Sequence, residues 1–578
     1  DVLGGMGPAG REKDGASAHK IAWREWSDEA FGEAEKAGRL VLLDLTATWC
    51  HWCHVMDGTT YSDDEVARLV NENFVPVRVD IDLRPDISER YNRGGFPTTA
   101  FLSSKGEPVW GATYIPPADM KRVVGSILKA KRTGEIDEAL GRVRTHPLGP
   151  PAPAPGRGLP SEGELRALFE GVLGAYDVEH GGFGTEPKFP NPDAVDLLIS
   201  RHMHTGDTIL SDAVRHTLKG MARGLYDGVE GGVFRYSVSR DWSVPHYEKM
   251  LETNAGYLRN LARAHVAIEW EESAELAEGV AGYILKRLTD PATGAFYGSQ
   301  DADESYYGLP MRSRAKRAAP AVDRTVYSGW NALTSSALTE AGVLLGRPDL
   351  TAAGLRALDR LMGTHWDAAA GLVRHSAGQD LFLSEDQVEL LGSLLAAMEL
   401  RGAADLGQTA VRLAERTRDA FAHPDGGLGD VPAGAGGIGS LARPTRSLVT
   451  NAKWAHRLAL VGAAAGRADL VGEAGAALGS FDRETVEAHG AFAAPYIAAA
   501  EVLRAGPLKV EVHASRGAPD GNDLWLASKR ALEPMVFTSF VADGDDFAVV
   551  CSLTGCSARV RTAAELGRAL RHGATGQV

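Results

Sequence analysis

Between Ser161 and Ala505 the chain repeats one local pattern, in which a helical segment with apolar residues at three- and four-residue spacing is followed by a short Gly-rich turn. The periodicity runs through LRALFEGVLGAY, AVRHTLKGMARGLY, YLRNLARAHVAI, LAEGVAGYILKRL, WNALTSSALTEAGVLL and QVELLGSLLAAMELR. The turns are Gly181-Gly182-Phe183, Gly231-Gly232-Val233-Phe234, Gly294-Ala295-Phe296, Gly371-Leu372 and Gly426-Gly427-Leu428, at intervals of about 50 to about 77 residues. That interval suits a two-helix hairpin with variable loops. A lone hairpin cannot bury its apolar face, so neighbours must stack. Five or six hairpins closing on themselves make an all-α (α/α)6 toroid; an open helical solenoid is the alternative.

Both ends of this region are marked. THPLGPPAPAPGRGLP, from Thr145 to Pro160, holds six prolines and reads as an extended spacer, so the linker is placed at 143–160. Ser161 and Glu164 form a capping-box pattern directly after it, which starts a helix at Glu162. From about Gly506 the period changes: LKVEVHA, MVFTSFV and FAVVC read as strands, LWLASKRAL and AAELGRALR as helices. The expected order is therefore an α/β domain at 18–142, the linker, the toroid at 161–505 and a small α/β region at 506–578. Such a multidomain chain fits 578 residues.

Lys and Arg number 61 against 76 Asp and Glu, a net charge of −15 with no basic tract, which speaks against nucleic acid as a partner. No run approaches 18 apolar residues, so no membrane helix is expected. Asp1 to Gly15 is Gly-rich and polar, unlike a signal peptide. The expected location is cytoplasmic, with a removed leader left open because the sequence starts at Asp.

Four cysteines cannot staple a chain of this size, and they fall into two close pairs, Cys50/Cys53 and Cys551/Cys556. Arg39 to Leu45 is an apolar run of buried-strand type, followed by Thr46-Ala47-Thr48-Trp49-Cys50-His51-Trp52-Cys53-His54 and a helical stretch. A Cys-x-x-Cys opening a helix sets its first thiol among N–H groups and the positive end of the helix dipole, which favours a thiolate. Cys50 is then the attacking sulfur and Cys53 the resolving one, and Asp44 on the strand is a candidate to exchange a proton with Cys53. Downstream, Phe74 to Asp80 reads as a strand, and Gly95-Phe96-Pro97-Thr98 leads into another. Trp-Cys-x-x-Cys, Asp44 and Pro97 in this order resemble thioredoxin over about 110 residues. The resemblance implies a cis Pro97 whose loop faces the sulfurs and receives an extended peptide.

Other readings of the motif are c-type haem attachment at Cys50-x-x-Cys53-His54, a zinc site and a degenerate fold kept as scaffold. The strand before the motif and Pro97 after it favour thiol–disulfide exchange, so neither cofactor nor metal is expected. His51-Trp52 stands where thioredoxin has Gly-Pro, which leaves the potential open. For Cys551 and Cys556 the spacing allows a disulfide, a relay for Cys50 or two buried thiols, the last favoured by the usual burial of cysteine.

CHWCHVMDGTTYSDDEVARLVNENFVPVRVD and Arg84-Pro85-Asp86-Ile87 resemble the family typified by spermatogenesis-associated protein 20 and its bacterial relatives. GGFGTEPKFP, GGVFRYSVSRDWSVPHYEKMLETNA, FYGSQDAD and GWNAL continue the resemblance in order along nearly the whole chain. It implies a thioredoxin-like domain fused to a six-hairpin-glycosidase-like toroid. The family's Ser-Pro-Tyr-Leu-Leu segment is absent before Ile21, and its long insertion after Asp303 is cut to about twenty residues. That loss would remove a wall of the toroid's mouth.

Loops gathered at that mouth would carry Glu186, Lys188, Arg235, Tyr236, Asp241, Trp242, His246, Glu248, Lys249, Asp301, Asp303, Trp330, Asn331, Glu385 and Asp386 toward a carbohydrate-type pocket. Two carboxylates there suit glycoside cleavage and a histidine pair suits epimerisation. The same residue types also stabilise loops, as Asx turns and helix caps do. Three functions therefore compete. The first is a thiol–disulfide oxidoreductase acting on protein thiols or disulfides, with the toroid as substrate or partner site. The second is a sugar isomerase, epimerase or hydrolase with an accessory thioredoxin domain. The third is a non-enzymatic binding scaffold.

Overall fold

The computed structural model describes residues 20–145, 158–402, 404–514, 522–543 and 545–572, so most of the Pro-rich linker lies outside the described residues. It divides into two compact units. The first is Asp1–Pro151 with Gly378–Asp380 and Gly434–Pro444, and the second is the remainder, the C-terminal region included.

In the first unit the elements run α1 (Asp28–Ala37), β1 (Leu40–Thr46), α2 (His51–Gly58), α3 (Asp64–Asn73), β2 (Phe74–Asp80), α4 (Pro85–Tyr91), β3 (Thr98–Leu102), β4 (Pro108–Ala112), α5 (Pro117–Thr133) and α6 (Glu135–Thr145). The sheet has the order β2-β1-β3-β4, with β1 parallel to β2 and antiparallel to β3, and β3 antiparallel to β4. Residues Leu40 to Leu45 of β1 are all buried, as a central strand covered on both faces requires. Its last residues deliver the chain to Cys50 just beyond the C-terminal end of this central strand.

The second unit is a closed ring. Six inner helices, Pro192–Thr205, Leu251–Ala267, Ser328–Leu344, Ser384–Arg401, Leu448–Ala465 and Ala494–Ala505, each pack on the next, and the sixth packs on the first. Each is backed by an outer helix: Thr208–Gly224, Glu271–Arg287, Pro348–Thr364, Ala404–Phe421 and Ala468–Leu478 for the first five. The sixth is backed by Glu162–Gly174, the first helix of the unit in chain order, which carries the expected Ser161/Glu164 capping box. Closure through both sixth-helix contacts makes this the toroid, not the solenoid.

The Gly-rich turns are held by one repeated device. An amide early in inner helices two to five bonds both the N–H and the C=O of the turn's apolar residue: Asn254 to Val233, Asn331 to Phe296, Gln387 to Val373 and Asn451 to Leu428. An aspartate opens each of the first four turns, Asp177, Asp227, Asp290 and Asp367, accepting backbone N–H bonds from two residues on. Gly181 and Gly231 take positive φ, and a Cβ at either would lie 2.8 and 2.3 Å from a carbonyl oxygen of the neighbouring outer helix.

The C-terminal region is a three-stranded sheet in which β5 (Leu508–Ala514) lies between β6 (Val536–Ala542), parallel to it, and β7 (Phe547–Cys551), antiparallel to it. It packs with helix Asp523–Arg530 against the third, fourth and fifth inner helices. Cys551 and Cys556 form a disulfide closing an exposed loop at the end of β7, and Cys556 itself is exposed. The expectation of two buried thiols is thereby replaced: the strand ends at Cys551 and the chain turns outward.

Candidate functional site

Cys50 caps α2, and its Sγ accepts a hydrogen bond from the Cys53 N–H at 3.2 Å. The two sulfurs are bonded to each other, and each residue is 3% exposed. The Phe96–Pro97 peptide is cis. Trp49, just before the motif, is buried, donates to Asp82 Oδ2 at 2.6 Å and meets the Phe96 ring edge-on at 6.3 Å, so the motif and the Pro97 loop share an anchor. Trp52, between the sulfurs, is 48% exposed.

Asp44, 1% exposed, accepts from Arg78 Nε at 2.8 Å and from the Tyr61 hydroxyl at 3.2 Å. β1 and β2 pair in parallel with Asp44 opposite Arg78. Arg78 lies over the Trp23 ring at 4.4 Å and also binds Asp57 on α2, so one guanidinium ties the buried carboxylate to the helix that carries the sulfurs. Burial pushes the Asp44 carboxyl up to about 6, and Arg78 opposes it. The folded state therefore binds the Asp44 proton more tightly than the unfolded chain does. Its stabilising contribution is complete below about pH 4 and is lost as the pH rises to about 6, by on the order of 3 kcal/mol. Urea unfolding at pH 4 and pH 6.5 should show that loss in the wild type and much less of it in Asp44→Asn; equal pH slopes would reject it.

In the toroid the expected pocket residues separate into two groups. Lys188 and Lys249 are fully buried and ion-paired to the turn aspartates Asp177 and Asp227, at 2.6 and 2.7 Å. Trp242 is buried, with its indole N–H donating to His180 O at 3.1 Å. Asn331 belongs to the turn-holding amides, Asp303 caps the short helix Glu304–Tyr307, and Asp301 Oδ1 accepts from Ala302 N. Glu186 accepts from Arg240 N, and Asp241 accepts from Ser239 and Ser243, bonds that hold its carboxyl well below the usual range.

The second group gathers around two histidines, with Glu248, His375 and Asp386 buried and Phe189 exposed. Phe189, Tyr236 and His246 form a stack with centroids 4.6 and 4.9 Å apart, Arg235 borders Tyr236, and His246 Nδ1 is bound by the buried Glu248. A second histidine, His375, binds Asp386 Oδ2 through Nδ1 at 2.9 Å while Asp386 Oδ1 receives Gly329 N–H. Trp330 is half-buried at the start of the third inner helix.

Glu252 and Glu385 begin the second and fourth inner helices, on either side of the third, and are exposed to solvent. Neither has an ion-pair partner among the described residues. Partial desolvation by the surrounding helix ends first, and then the carboxylates of Glu389 and Glu252, push Glu385 up to about 8; partial desolvation likewise raises Glu252, against Arg235 and Lys453.

Below them the lumen wall is charged and paired. Lys453 lies 3.4 Å from both Asp193 and Glu389, Arg457 binds Glu389 at 2.6 Å, Arg259 binds Asp196 at 2.7 Å and Arg263 binds Glu340 at 2.8 Å. Sequence reading missed Glu252, Glu389 and Lys453. Their signal is a charged residue on the stripe of a helix otherwise apolar all round, as with Glu385 and Glu389, one turn apart on the fourth inner helix. Among the described residues no group of three or more His, Cys, Asp or Glu side chains is placed to hold a metal, and no described helix is long and apolar enough to cross a membrane.

Residues 15–133 match the family described as Thioredox_DsbH, protein of unknown function, DUF255. Thioredoxin H-type of Fagopyrum esculentum is 31% identical over 123 residues, covering 21% of this chain and 84% of that protein. The first domain belongs to the thioredoxin family. Spermatogenesis-associated protein 20 of Homo sapiens is 34% identical over 307 residues, 49% of this chain and 39% of that protein, so the match spans about two fifths of that relative's length. A solved sugar epimerase from a ruminal bacterium is similar at 13% identity and a TM-score of 0.45, over 55% of this chain and 85% of that one. The thioredoxin domain thus carries the Cys50–Cys53 pair, and the toroid carries the lumen.

Proposed function

We propose that the thioredoxin domain performs thiol–disulfide exchange on protein substrates and that the toroid supplies a second site. The observation supporting this most directly is the Cys50 sulfur at the start of α2, receiving the Cys53 N–H and bonded to Cys53. In the dithiol form, the Cys50 thiolate attacks a substrate disulfide, forming a mixed disulfide and releasing one substrate thiolate. Cys53 then attacks the Cys50 sulfur, the second substrate thiol leaves, and Cys50–Cys53 is oxidised by two electrons. Asp44 is the buried base available for the Cys53 proton, and an external dithiol restores the reduced pair. Dithiothreitol-driven reduction of insulin by the full chain tests this; no turnover above the dithiothreitol background overturns it.

A second reading rests on Glu385. An unpaired carboxyl kept protonated near neutral pH, with Glu252 across the lumen, suits general acid–base catalysis on a small carbohydrate-like molecule. It predicts conversion of at least one member of a panel of reducing sugars and aryl glycosides, falling at least ~100-fold in Glu385→Gln. Unchanged turnover in that variant would reject the role.

A further inference from the structure

The two oxygens of the buried Asp44 meet different kinds of partner. Oδ2 receives the Arg78 Nε–H, and Oδ1 lies 3.2 Å from the Tyr61 hydroxyl. A guanidinium only donates, so a proton placed on Oδ2 would face another donor. A proton taken up by Asp44 therefore settles on Oδ1, where the partner in place is the Tyr61 oxygen. Tyr61 cannot accept that proton's hydrogen bond and still point its own hydrogen at Asp44. Its hydrogen needs a second acceptor, and the Thr99 hydroxyl stands 3.0 Å away. Thr99 lies opposite Asp44 in the β1–β3 register, two residues past Pro97. Its own hydroxyl reaches Met56 Sδ on α2, at 4.0 Å, a weak acceptor that ends the chain.

When Asp44 is a carboxylate, the same atoms serve in the opposite sense. Thr99 donates to Tyr61, and Tyr61 donates to Oδ1. Passing from one arrangement to the other swings two hydroxyls and breaks no O–H bond. Tyr61 is 4% exposed and Thr99 and Met56 are fully buried, so the exchange takes place in a dry core. Burial holds the Tyr61 hydroxyl well above its usual range, and it stays protonated throughout. With one sense alone, one protonation state of Asp44 would leave a buried polar atom unmatched, at the cost of its lost hydration.

We propose that Tyr61 and Thr99 are positioning residues, a reversible hydroxyl pair that lets Asp44 hold or release a proton inside the sheet with every polar atom matched. Their use in turnover rests on the thiol–disulfide exchange proposed above. The Cys53 thiol gives its proton to Asp44 Oδ1, the resulting thiolate bonds to the Cys50 sulfur as the substrate thiolate leaves, and the two hydroxyls reverse.

Infrared titration of the full chain in its oxidised form tests the pair without turnover. The carboxylic C=O band that disappears in Asp44→Asn reports this residue, with a wild-type midpoint at about 6. Arg78 on β2, Asp57 on α2 and Tyr61, the charged and ionisable groups around Asp44, stay the same in every test variant, and Cys53 is held in the disulfide. Thr99→Val removes a hydroxyl that Asp44 does not touch. In a two-way pair it chiefly deprives the protonated state, so the midpoint should fall by about half a pH unit to one, the worth of a hydrogen bond. In a one-way pair Thr99 only strengthens Tyr61 as a donor to the carboxylate, and the midpoint should stay or rise. Thr99→Ser, which keeps the hydroxyl, should restore the wild-type value. Met56→Leu removes the last acceptor and should lower the midpoint by less; it carries the test if melting curves show Thr99→Val unfolded. An unchanged or raised midpoint in the folded variant, or an equal fall in Thr99→Ser, overturns the proposal. A chain that reduces no insulin yet shows the fall loses the exchange reading and keeps the pair. One that reduces insulin with an unmoved midpoint loses the pair alone.

Discussion

Replacing Cys50 by serine is expected to lower disulfide reduction by ~10³-fold or more, while replacing Cys53 by serine should convert the protein into a trap. The asymmetry follows from position. Cys50 caps α2 and receives a backbone N–H, so its thiolate is the stabilised one; Cys53 is one turn inside the helix. Without Cys50 there is no attacking sulfur. Without Cys53 attack proceeds and the mixed disulfide persists, so Cys53→Ser incubated with oxidised substrate should accumulate a covalent adduct of one chain and one substrate by mass spectrometry. Adducts on Cys50→Ser, or equal residual turnover in the two variants, would reverse the assignment. Asp44→Asn should slow resolution more than attack, and in the protein that keeps Asp44 the adduct lifetime should rise as the pH falls through about 6, where the carboxyl takes up its proton.

The largest expected stability effect lies in the second turn of the toroid. Asp227 Oδ2 binds both Lys249, at 2.7 Å, and Arg314, at 2.6 Å, and both cations are buried. Its other oxygen receives Val229 N–H. Asp227→Ala leaves two buried cations side by side, with Glu230, 3.2 Å from Arg314, as the remaining counter-charge. The loss should be about 3–5 kcal/mol in the toroid's unfolding transition. It should shrink at pH 9: burial already pushes Lys249 down to about 8 with Asp227 present, and without that carboxylate the amine enters the fold uncharged. A loss under about 1 kcal/mol at pH 7 would show that water replaces the carboxylate.

The contrast between the two domains explains what the sequence exposes. Cys50, Cys53, Asp44 and Pro97 are legible because each carries its chemistry in residue type, and a fixed order along one strand–helix–loop path brings them together. Arg78 is not, because its importance comes from strand register: it matters as the residue opposite Asp44. In the toroid, the helix count and the Gly turns follow from period and punctuation. The candidates chosen for lying beside those turns, Lys188, Trp242, Lys249 and Asn331, are engaged in holding the turns. The Asp-x-x-x-Gly spacing of Asp177/Gly181, Asp227/Gly231, Asp290/Gly294 and Asp367/Gly371 announces that use. The lumen residues come from five separate helices, and a polar stripe on one helix looks like an ordinary solvated face until the ring is closed.

Ring closure has a consequence for how the chain is made. The outer helix Glu162–Gly174 finds its inner partner in Ala494–Ala505, about 320 residues later. Until that partner is synthesised, the apolar face formed by Leu165, Leu168, Phe169 and Val172 has no permanent cover. At about 5–20 residues per second, that is a wait of about 16–64 s on the ribosome. Assembly of the toroid therefore ends with its most distant contact, and the nascent chain presents a chaperone-accessible apolar helix through most of its synthesis.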